Sequence, residues 1–207
     1  MKILVLGSSG QIGSELMKAL NRHSEILSPS RRDLDLTNLE QVARFLHAEN
    51  PDCIVNAAAY TKVDQAETEI EAAYKLNHDL PTELALFCRD SGARLVHFST
   101  DYVFSGQSEN AWDEIGITRP INVYGRSKLA GEHAIEALCE KYFILRTSWV
   151  FSAHGSNFVK TMVNMATTRE KINVVTDQTG IPTSARFLAT TALATLQHGG
   201  FGLYHTV

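Results

Sequence analysis

An apolar run near the N-terminus leads directly into three glycines spaced three residues apart. Residues 3–6 are continuously apolar, which is typical of a strand buried in a parallel sheet. The segment Gly7-Ser-Ser-Gly10-Gln-Ile-Gly13 follows at once. In a turn from strand to helix, the first glycine permits the sharp turn, the second lets a pyrophosphate approach, and the third lets the helix pack closely on the sheet. Such a turn predicts a dinucleotide at the helix N-terminus, where N–H groups favour phosphate; a glycine-rich turn without a ligand is the alternative.

Short apolar runs alternate with helical periodicity along the rest of the chain. The predicted strands are residues 3–6, 25–27, 52–56, 94–98, 143–146 and 172–175. The predicted helices are residues 11–22, 64–77, 81–91, 124–140, 157–168 and 185–198, and one that opens with a capping box at Thr37-Asn-Leu-Glu40. This alternation predicts an α/β fold of the Rossmann type, a doubly wound parallel sheet with helices on both faces. We predict a dinucleotide-binding Rossmann domain at residues 1–150, followed at residues 151–207 by the final Rossmann elements and the start of a small C-terminal substrate-binding lobe.

The composition argues against several classes of protein. The 207 residues carry a formal net charge of -4, whereas a nucleic-acid-binding surface needs a basic face. No run approaches the ~18 apolar residues of a membrane span, and the first apolar run is too short for a signal peptide. Cys53, Cys88 and Cys139 are odd in number and lack the spacing of metal ligands. We therefore expect a cytoplasmic protein with reduced thiols, no metal site, and no nucleic-acid or membrane partner.

The segment Tyr124-Gly-Arg-Ser-Lys128 places a phenol and an ammonium four residues apart on a predicted helix, and so on one face. A free tyrosine has a pKa near 10 and donates a proton poorly at neutral pH. A neighbouring ammonium favours the phenolate and lowers this pKa, and it can also bind the ribose of a nicotinamide cofactor. The pattern is short, and a purely structural helix face is the alternative. Combined with the glycine turn, it predicts hydride transfer to a carbonyl, with Tyr124 as the proton donor.

Two further segments follow predicted strands, at the edge of the sheet where ligands bind in open α/β folds. Ser99-Thr100-Asp101-Tyr102-Val103-Phe104 follows the fourth strand. The Thr100 hydroxyl could donate to a substrate carbonyl oxygen as negative charge grows there; a loop cap is the alternative. Asn56-Ala57-Ala58-Ala59 follows the third strand, and its small side chains would leave room for the ribose and nicotinamide of a cofactor. Tight helix packing explains these alanines nearly as well.

The end of the second strand should set the cofactor preference. An NAD site usually has an acid there for the ribose 2′-hydroxyl, but this chain has Ser28-Pro-Ser30-Arg31-Arg32. Hydroxyls and arginine suit a 2′-phosphate, so Ser30 and Arg31 predict NADPH; solvated surface charges are the alternative. Asp35-Leu36 could reach the adenine. Use of NADH as well as NADPH therefore stays open.

At these residues the chain resembles the extended short-chain dehydrogenase/reductases, and within them the dTDP-4-dehydrorhamnose reductase family. The segments that carry the resemblance are Asn56-Ala-Ala-Ala-Tyr-Thr61, Ser99-Thr-Asp-Tyr-Val-Phe104, Asn122-Val-Tyr-Gly125, Arg146-Thr-Ser-Trp-Val150 and Asp177-Gln-Thr-Gly-Ile-Pro-Thr183. The family reduces the 4-keto group of dTDP-6-deoxy-L-lyxo-4-hexulose to dTDP-L-rhamnose. The resemblance implies a dTDP-linked 4-keto-deoxysugar as the substrate, and it leaves a homodimer open.

The resemblance also implies roles for individual residues. The catalytic set is Thr100, Tyr124 and Lys128. The matching cofactor contacts are Gly10, Gln11, Ile12, Asp35, Leu36, Ala59, Tyr60 and Thr61, to which the residue-level reading adds Gly7, Gly13, Ser30, Arg31, Ala57, Ala58, Tyr124 and Lys128. The predicted substrate contacts are Thr100, Asp101, Tyr102 and Trp149, with a core aromatic as the alternative for Trp149.

Two departures from related patterns limit the reading. Related nucleotide-sugar 4,6-dehydratases carry Thr-Asp-Glu, whereas Tyr102 stands in the position of that glutamate, which disfavours dehydration. Family members also continue well past Gly202-Leu-Tyr-His205, so we expect a chain that lacks the C-terminal part of the substrate lobe. The alternatives are a nucleotide-sugar epimerase with tightly held NAD, and a non-catalytic NADP-binding subunit like the regulatory subunit of methionine adenosyltransferase.

Overall fold

The computed structural model describes residues 1–20 and 25–207, and its centre is a six-stranded sheet. The strands of this sheet are β1 (Lys2–Leu6), β2 (Glu25–Leu27), β3 (Cys53–Asn56), β4 (Arg94–Thr100), β5 (Tyr142–Thr147) and β8 (Gly202–His205). Their order is β2-β1-β3-β4-β5-β8, and each neighbouring pair is parallel. The predicted α/β doubly wound sheet is confirmed.

Helices connect the strands and cover the sheet. They are α1 (Gln11–Leu20), α2 (Leu39–Glu49), α3 (Val63–Ala66), α4 (Ile70–Tyr74), α5 (Leu80–Ser91), α6 (Val123–Leu138), α7 (Phe158–Ala166) and α8 (Ala185–His198). A wider π-helical turn at Lys75–Asp79 joins α4 to α5, and a 3₁₀ turn at Asp101–Val103 follows β4. Among the residues that the structure describes, no helix is long and apolar enough to cross a membrane.

The sheet has a hydrophobic core on each face because side chains alternate along every strand. On β1, Leu4 and Leu6 point to one face, where the core includes residues of α2, α5 and α6. Ile3 and Val5 point to the other face, where the core includes residues of α1 and α8. A strand buried on both faces must be apolar throughout, which explains the continuous run at residues 3–6.

A second, two-stranded sheet lies outside this framework. It consists of β6 (Val150–Phe151) and β7 (Thr183–Ser184), which pair in parallel. α7 lies between them in sequence and has no buried residue. The chain then returns to the main sheet, because α8 packs in the second core and β8 pairs with β5. The division into residues 1–150 and 151–207 stays a prediction.

Several predicted elements differ from the structure. The strand predicted at residues 172–175 is wrong: the segment is irregular, Val174 and Val175 are exposed, and no strand among residues 1–20 and 25–207 pairs with them. The helix predicted at residues 64–77 is divided into α3, α4 and the π-helical turn. The last two residues of the helix predicted at residues 11–22 lie outside the described residues.

The capping box at Thr37 is also wrong by one residue. The Thr37 hydroxyl donates to Asp35 Oδ1 over 2.8 Å. Asn38 caps α2 instead, and its side-chain oxygen accepts from the backbone N–H of Gln41 over 3.1 Å. Asparagine and threonine both cap helices well, so the competing bond to Asp35 decides which one does.

Candidate active site

The candidate site lies at the carboxyl ends of the central strands. The chain leaves β1 for β2 on one side and later enters β3 on the other side, so the connections diverge between β1 and β3. In open α/β sheets ligands bind in the crevice at such a switch point. The glycine turn follows β1, the alanine segment follows β3, and Thr100 ends β4, so three of the predicted site segments meet at this edge.

The three positions of the turn require glycine for different structural reasons. Gly7 has φ +77°, and a Cβ there would lie 2.7 Å from the backbone nitrogen of Ala58. A Cβ at Gly13 would lie 2.1 Å from the carbonyl oxygen of Gly7. Gly10 is exposed, and a Cβ there would meet only that same oxygen, at 3.3 Å. Packing therefore requires Gly7 and Gly13, whereas the outer side of Gly10 is open at the N-terminus of α1, which fits a pyrophosphate.

The side chains at the start of α1 contact protein atoms. Gln11 Nε2 donates to the Val150 carbonyl over 3.4 Å, and its Oε1 accepts from Asn157 Nδ2 over 3.0 Å. Ile12 packs against the second core. The first N–H groups of a helix have no intrahelical acceptor. These two residues can therefore offer a cofactor their backbone, while Gln11 links the turn to β6 and α7.

The segment after β2 holds the residues predicted to set the cofactor preference. The Ser30 hydroxyl and N–H both donate to Asp33 Oδ2, over 2.6 and 3.0 Å. Asp35 accepts from the Thr37 N–H over 2.9 Å, and the hydrogen bonds from Thr37 lower the pKa of this carboxyl. Arg31 is exposed, and Leu36 packs against the first core. Ser30 thus already stabilises its own turn, and Arg31 is the predicted phosphate ligand whose side chain lies at the surface.

The alanine segment is held in place by Asn77, which the sequence analysis missed. Asn77 is fully buried in the π-helical turn. Its Oδ1 accepts from the Tyr60 N–H over 2.9 Å, and its Nδ2 donates to the Tyr60 carbonyl over 3.0 Å and to Ser127 Oγ over 3.0 Å. Ser127 in turn donates to the Tyr124 carbonyl over 2.8 Å. Asn77 therefore connects the segment after β3 to the helix that carries Tyr124 and Lys128.

The other residues of this segment that were predicted to contact the cofactor are half-buried or exposed to solvent. Ala57, Ala58 and Ala59 are half-buried, and Thr61 is exposed. The phenol of Tyr60 donates to Glu69 Oε2 over 2.8 Å. No local sequence pattern indicates Asn77; its burial and its place in a π-helical turn, which is a frequent mark of a functional site, are visible only in the structure.

Two glycines bring α6 close to its neighbours. A Cβ at Gly125 would lie 2.2 Å from the carbonyl oxygen of Tyr102, and one at Gly131 would lie 2.1 Å from the carbonyl oxygen of Asn77. Any side chain at either position would push the helix away. The glycine inside Tyr124-Gly-Arg-Ser-Lys128 thus places the start of the helix directly against the turn after β4.

The structure brings Thr100, Asp101, Tyr102 and Tyr124 together. Thr100 caps the 3₁₀ turn: its Oγ1 accepts from the Tyr102 N–H over 3.2 Å and donates to Asp101 Oδ1 over 3.1 Å. The rings of Tyr102 and Tyr124 pack edge to face with centroids 5.5 Å apart. Burial raises the pKa of the Asp101 carboxyl. Thr100 therefore caps the loop, as the alternative interpretation predicted, and its hydroxyl lies beside Tyr124.

The electrostatics of Tyr124 are the reverse of the sequence expectation. Burial raises the pKa of Tyr124 to about 12, and a hydrogen bond with the Thr100 side chain acts in the opposite direction. Lys128 Nζ is directed at β4, where it lies 2.6 Å from the Phe98 carbonyl oxygen and 3.0 Å from His97 Nε2. Tyr124 and Lys128 share a face of α6, but desolvation is the main influence on the pKa of Tyr124 in this structure.

A buried ion pair, also missed from the sequence, supports the same helix. The Arg146 Nε–H is shared between the two carboxylate oxygens of Glu132, over 3.0 and 3.2 Å, and Arg146 Nη2 donates to Glu132 Oε2 over 2.7 Å. The guanidinium carbon also lies 5.1 Å from the centroid of the Phe104 ring. Because Glu132 is on α6 and Arg146 is on β5, the pair fixes the helix to the strand that leads to Trp149.

Trp149 differs from the other predicted site residues because it lies at the surface. Its side chain is 45% exposed, which argues against a core aromatic. Its φ of +43° is in the left-handed region, which is unusual for a bulky residue. A Cβ at Gly180 would lie 2.7 Å from the indole, so the segment before β7 passes directly over the ring. Strained residues cluster at functional sites, and this strain supports a contact role for Trp149.

Comparisons with known proteins agree over the whole chain. The family model described as the RmlD substrate binding domain matches residues 1–207. A dTDP-4-dehydrorhamnose reductase from Escherichia coli K12 is 42% identical over 216 aligned residues, which cover 100% of this chain and 72% of the relative.

Solved structures give the same result. A dTDP-4-dehydrorhamnose reductase from Clostridium acetobutylicum matches with a TM-score of 0.95 at 40% identity, over 99% of this chain and 73% of that one. One from Bacillus anthracis, in complex with NADP, matches with a TM-score of 0.93 at 40% identity, over the same shares of the two chains. A UDP-glucose 4-epimerase from Thermus thermophilus, in complex with NAD, matches over 100% of this chain and 77% of that one with a TM-score of 0.79, but its 21% identity shows the fold alone.

Proposed function

The chain belongs to the RmlD substrate-binding domain family, and from that premise we propose that it reduces the 4-keto group of dTDP-6-deoxy-L-lyxo-4-hexulose to dTDP-L-rhamnose with NADPH. The observation that carries this proposal is the contact between Thr100, at the end of β4, and Tyr124, at the start of α6, at the same edge of the sheet as the glycine turn after β1. A proton donor at a dinucleotide crevice is what carbonyl reduction requires.

The residues of the crevice fit a pyridine dinucleotide phosphate. Gly10 leaves an open approach to the N-terminus of α1, where the pyrophosphate would lie. Arg31 is the group proposed to bind the 2′-phosphate, because Ser30 is already bonded to Asp33. The relative from Bacillus anthracis is in complex with NADP, which supports the preference. NADH remains a second cofactor in this proposal, because the Asp35 carboxylate is close by on the same segment.

When bound, NADPH supplies the hydride that C4 of the keto sugar accepts. Tyr124 then protonates the oxygen that carries the developing negative charge. Burial raises the pKa of the phenol, so it is protonated at neutral pH, and an alkoxide is basic enough to take that proton. The Thr100 hydroxyl turns from Asp101 to the same oxygen and donates a second hydrogen bond, which stabilises the charge as it forms.

Lys128 acts beneath these two residues rather than on them. Its Nζ is buried beside β4, where it donates to the Phe98 carbonyl, and we propose that it also donates to the nicotinamide ribose when the cofactor is bound. On the substrate side we propose contacts from Asp101, Tyr102 and Trp149. Asp101 and Tyr102 lie on the turn that Thr100 caps, and Trp149 presents its exposed indole to the sugar or the base.

An assay of NADPH oxidation with the dTDP-4-keto sugar tests the proposal. We expect oxidation that depends on the sugar, with a product two hydrogens heavier by mass spectrometry. A protein that binds NADPH but shows no sugar-dependent oxidation, even when extended to the length of its relatives, would overturn the proposal. Tightly held NAD and interconversion of sugar epimers without net oxidation would indicate an epimerase. Stoichiometric capture of a partner enzyme without turnover would indicate a regulatory subunit.

We also propose a cytoplasmic location. Cys53, Cys88 and Cys139 are free thiols in the structure, and all three are buried, which fits a reducing compartment. The homodimer stays a prediction, and gel filtration with light scattering would test it.

A further inference from the structure

A chain of hydrogen bonds runs from the backbone after β3 to Lys128. The Ala58 N–H donates to Asn56 Oδ1 over 3.2 Å, and Asn56 Nδ2 lies 3.1 Å from His97 Nδ1. His97 Nε2 lies 3.0 Å from Lys128 Nζ, which also donates to the Phe98 carbonyl over 2.6 Å. The side-chain residues Asn56, His97 and Lys128 are 1%, 0% and 2% exposed, so water does not compete for these bonds.

The backbone end of this chain fixes its direction. A backbone N–H can only donate, so Ala58 requires the carbonyl oxygen of the Asn56 amide. The Asn56 NH₂ group then faces His97 Nδ1, which must accept. In a neutral imidazole the proton is therefore on Nε2, and this N–H points at Lys128 Nζ. An ammonium has three donors and no lone pair, whereas a neutral amine has a lone pair that can accept this bond.

We propose that Asn56 and His97 are positioning residues that hold Lys128 as a neutral amine in the ligand-free protein, so that Lys128 takes up a proton when the cofactor binds. The hydrogen-bond assignment rests on the geometry alone. Its consequence for cofactor binding rests on the proposed function, in which an ammonium contacts the nicotinamide ribose.

The opposite direction would set two hydrogen-bond donors against each other. If Lys128 donated to His97 Nε2, the proton would be on Nδ1 and would need the Asn56 oxygen. The Asn56 NH₂ group would then face the Ala58 N–H, donor against donor. The Ala58 N–H would lose the hydrogen bond that it donates to Asn56 Oδ1. Few backbone N–H groups in folded proteins lack an acceptor.

The surroundings of the chain favour neutral groups. Burial holds the pKa of His97 well below its usual range, and it lowers the pKa of Lys128 to about 8. A hydrogen bond donated to the amine stabilises the neutral form and lowers the pKa of Lys128 further. Among the described groups, Glu132 on α6 acts in the opposite direction, but its carboxylate is paired with Arg146 on β5.

The tautomer of His97 is a direct test on the unaltered, ligand-free protein. Nitrogen NMR distinguishes a protonated ring nitrogen from an unprotonated one, and His97→Gln identifies the signal among the 8 histidines. We expect a protonated Nε2 and an unprotonated Nδ1. A protonated Nδ1 with an unprotonated Nε2, or an imidazolium, would overturn the proposal whatever the variants do.

Asn56→Asp should reverse the direction of the hydrogen bonds that join Asn56, His97 and Lys128. A carboxylate accepts both from the Ala58 N–H and from a protonated His97 Nδ1, which leaves Nε2 to accept from an ammonium. We expect the Lys128 side chain to bind a proton at least ten-fold more tightly, measured from the pH titration of its Cε signal, which Lys128→Met assigns. Asn77→Asp adds the same charge outside the chain and controls for its long-range effect. Equal changes in the proton affinity of Lys128 in the two variants would contradict the proposed role of Asn56 and His97.

The predicted proton uptake has its own measurement. Calorimetric titration with NADPH in buffers of different ionisation enthalpy gives the number of protons bound, at a pH well above the ~6 at which a phosphate titrates. We expect an uptake that approaches one proton in the unaltered protein and falls in Asn56→Asp. Cofactor binding without uptake, together with the expected tautomer, would refute the coupling and leave the assignment standing. Absence of sugar reduction bears only on the proposed function.

Discussion

The two sides of the candidate site are built in different ways. On the cofactor side, the residues that shape the crevice are part of the interior: Gly13 is buried against the glycine turn, and Asn56 and Asn77 are 1% and 0% exposed. On the substrate side, between β5 and β7, α7 has no buried residue, and Trp149 and Phe158 are 45% and 62% exposed. The first side is held by the same contacts that hold the sheet, whereas the second lies on the surface.

This difference predicts which changes separate stability from binding. A substitution that alters the cofactor side must also disturb the core, unless it replaces an atom that only a ligand contacts. A substitution on the substrate side can change sugar binding with little effect on folding. Matched variants on the two sides test whether stability and binding change together on the cofactor side and separately on the substrate side.

The largest effect is expected at Gly13. In Gly13→Ala the new Cβ would lie 2.1 Å from the Gly7 oxygen, and Gly7 is itself fixed against Ala58. We expect the free energy of unfolding to fall by about 3 kcal/mol or more, measured by urea denaturation. Gly10→Ala is the control, because its Cβ would have 3.3 Å to the same oxygen. It should lose NADPH affinity by about ten-fold, or ~1.4 kcal/mol, and remain folded; equal destabilisation of the two variants would contradict the assignment of Gly10 to the ligand.

Loss of the buried ion pair should have an effect of comparable size. Glu132→Gln leaves the Arg146 guanidinium buried without its counter-charge, so we expect the free energy of unfolding to fall by about 3–5 kcal/mol. The exposed pair of Glu40 and Arg44 is the comparison, since Glu40→Gln should cost at most about 0.5 kcal/mol. The double change Glu132→Leu with Arg146→Met should recover much of the loss. A Glu132→Gln protein as stable as Glu40→Gln would show that the interior of α6 tolerates an unpaired charge.

Tyr124→Phe should affect catalysis and not folding. Removing the proton donor is expected to lower kcat by about 10²–10⁴-fold, while the dissociation constant for NADPH stays within about two-fold. Tyr102→Phe is the matched control, because it removes the phenol of the ring that packs on Tyr124. We expect it to change KM for the sugar more than kcat. A loss of NADPH binding in Tyr124→Phe would mean that the phenol serves the cofactor instead of the carbonyl.

Sequence reasoning recovered the framework because burial leaves a strong signal in a parallel sheet. Strands covered on both faces must be apolar throughout, so β1, β3, β4 and β5 were visible as short runs. The short, exposed elements gave no such signal. Val174 and Val175 have the side chains of a strand, but no strand in the described part of the chain pairs with them. β7 has only two residues.

Within the site, sequence reasoning found residues that follow strands and missed those that work through contacts across the fold. Thr100 and Tyr124 belong to local patterns, and the structure places them together. Asn77, His97 and Glu132 act on partners 17 to 50, 31 to 41 and 14 positions away in the sequence. No local pattern encodes such pairs. The same limit explains the wrong direction for Tyr124, since desolvation depends on the whole surrounding core.

The interior position of His97 should appear in the pH dependence of stability. Its pKa is lowered well below the usual value in the folded protein, whereas the unfolded chain binds a proton near pH 6.5. The contribution of His97 is therefore fully present above about pH 6.5 and is lost as the pH falls, by up to ~1.4 kcal/mol per pH unit. The measurement is urea denaturation between about pH 7 and pH 5 for the unaltered protein and for His97→Gln. The variant should lack this part of the slope, and identical slopes would place a charge on His97 in the folded state.

The smallest change in stability is expected on the substrate side, at Trp149. Its left-handed backbone, with φ +43°, costs about 1–3 kcal/mol for a bulky residue, whereas asparagine tolerates this region. Trp149→Asn loses the contact of the indole with Gly180 and gains this relief, so we expect the free energy of unfolding to change by no more than about 1 kcal/mol. KM for the keto sugar should rise about ten-fold, equivalent to ~1.4 kcal/mol, with the NADPH affinity unchanged. Trp149→Phe keeps an aromatic ring, so its KM for the keto sugar should lie between those of the unaltered protein and Trp149→Asn. If Trp149→Asn unfolds as easily as Gly13→Ala, the substrate side is part of the core after all; if only the sugar's KM responds, the strain at Trp149 serves binding.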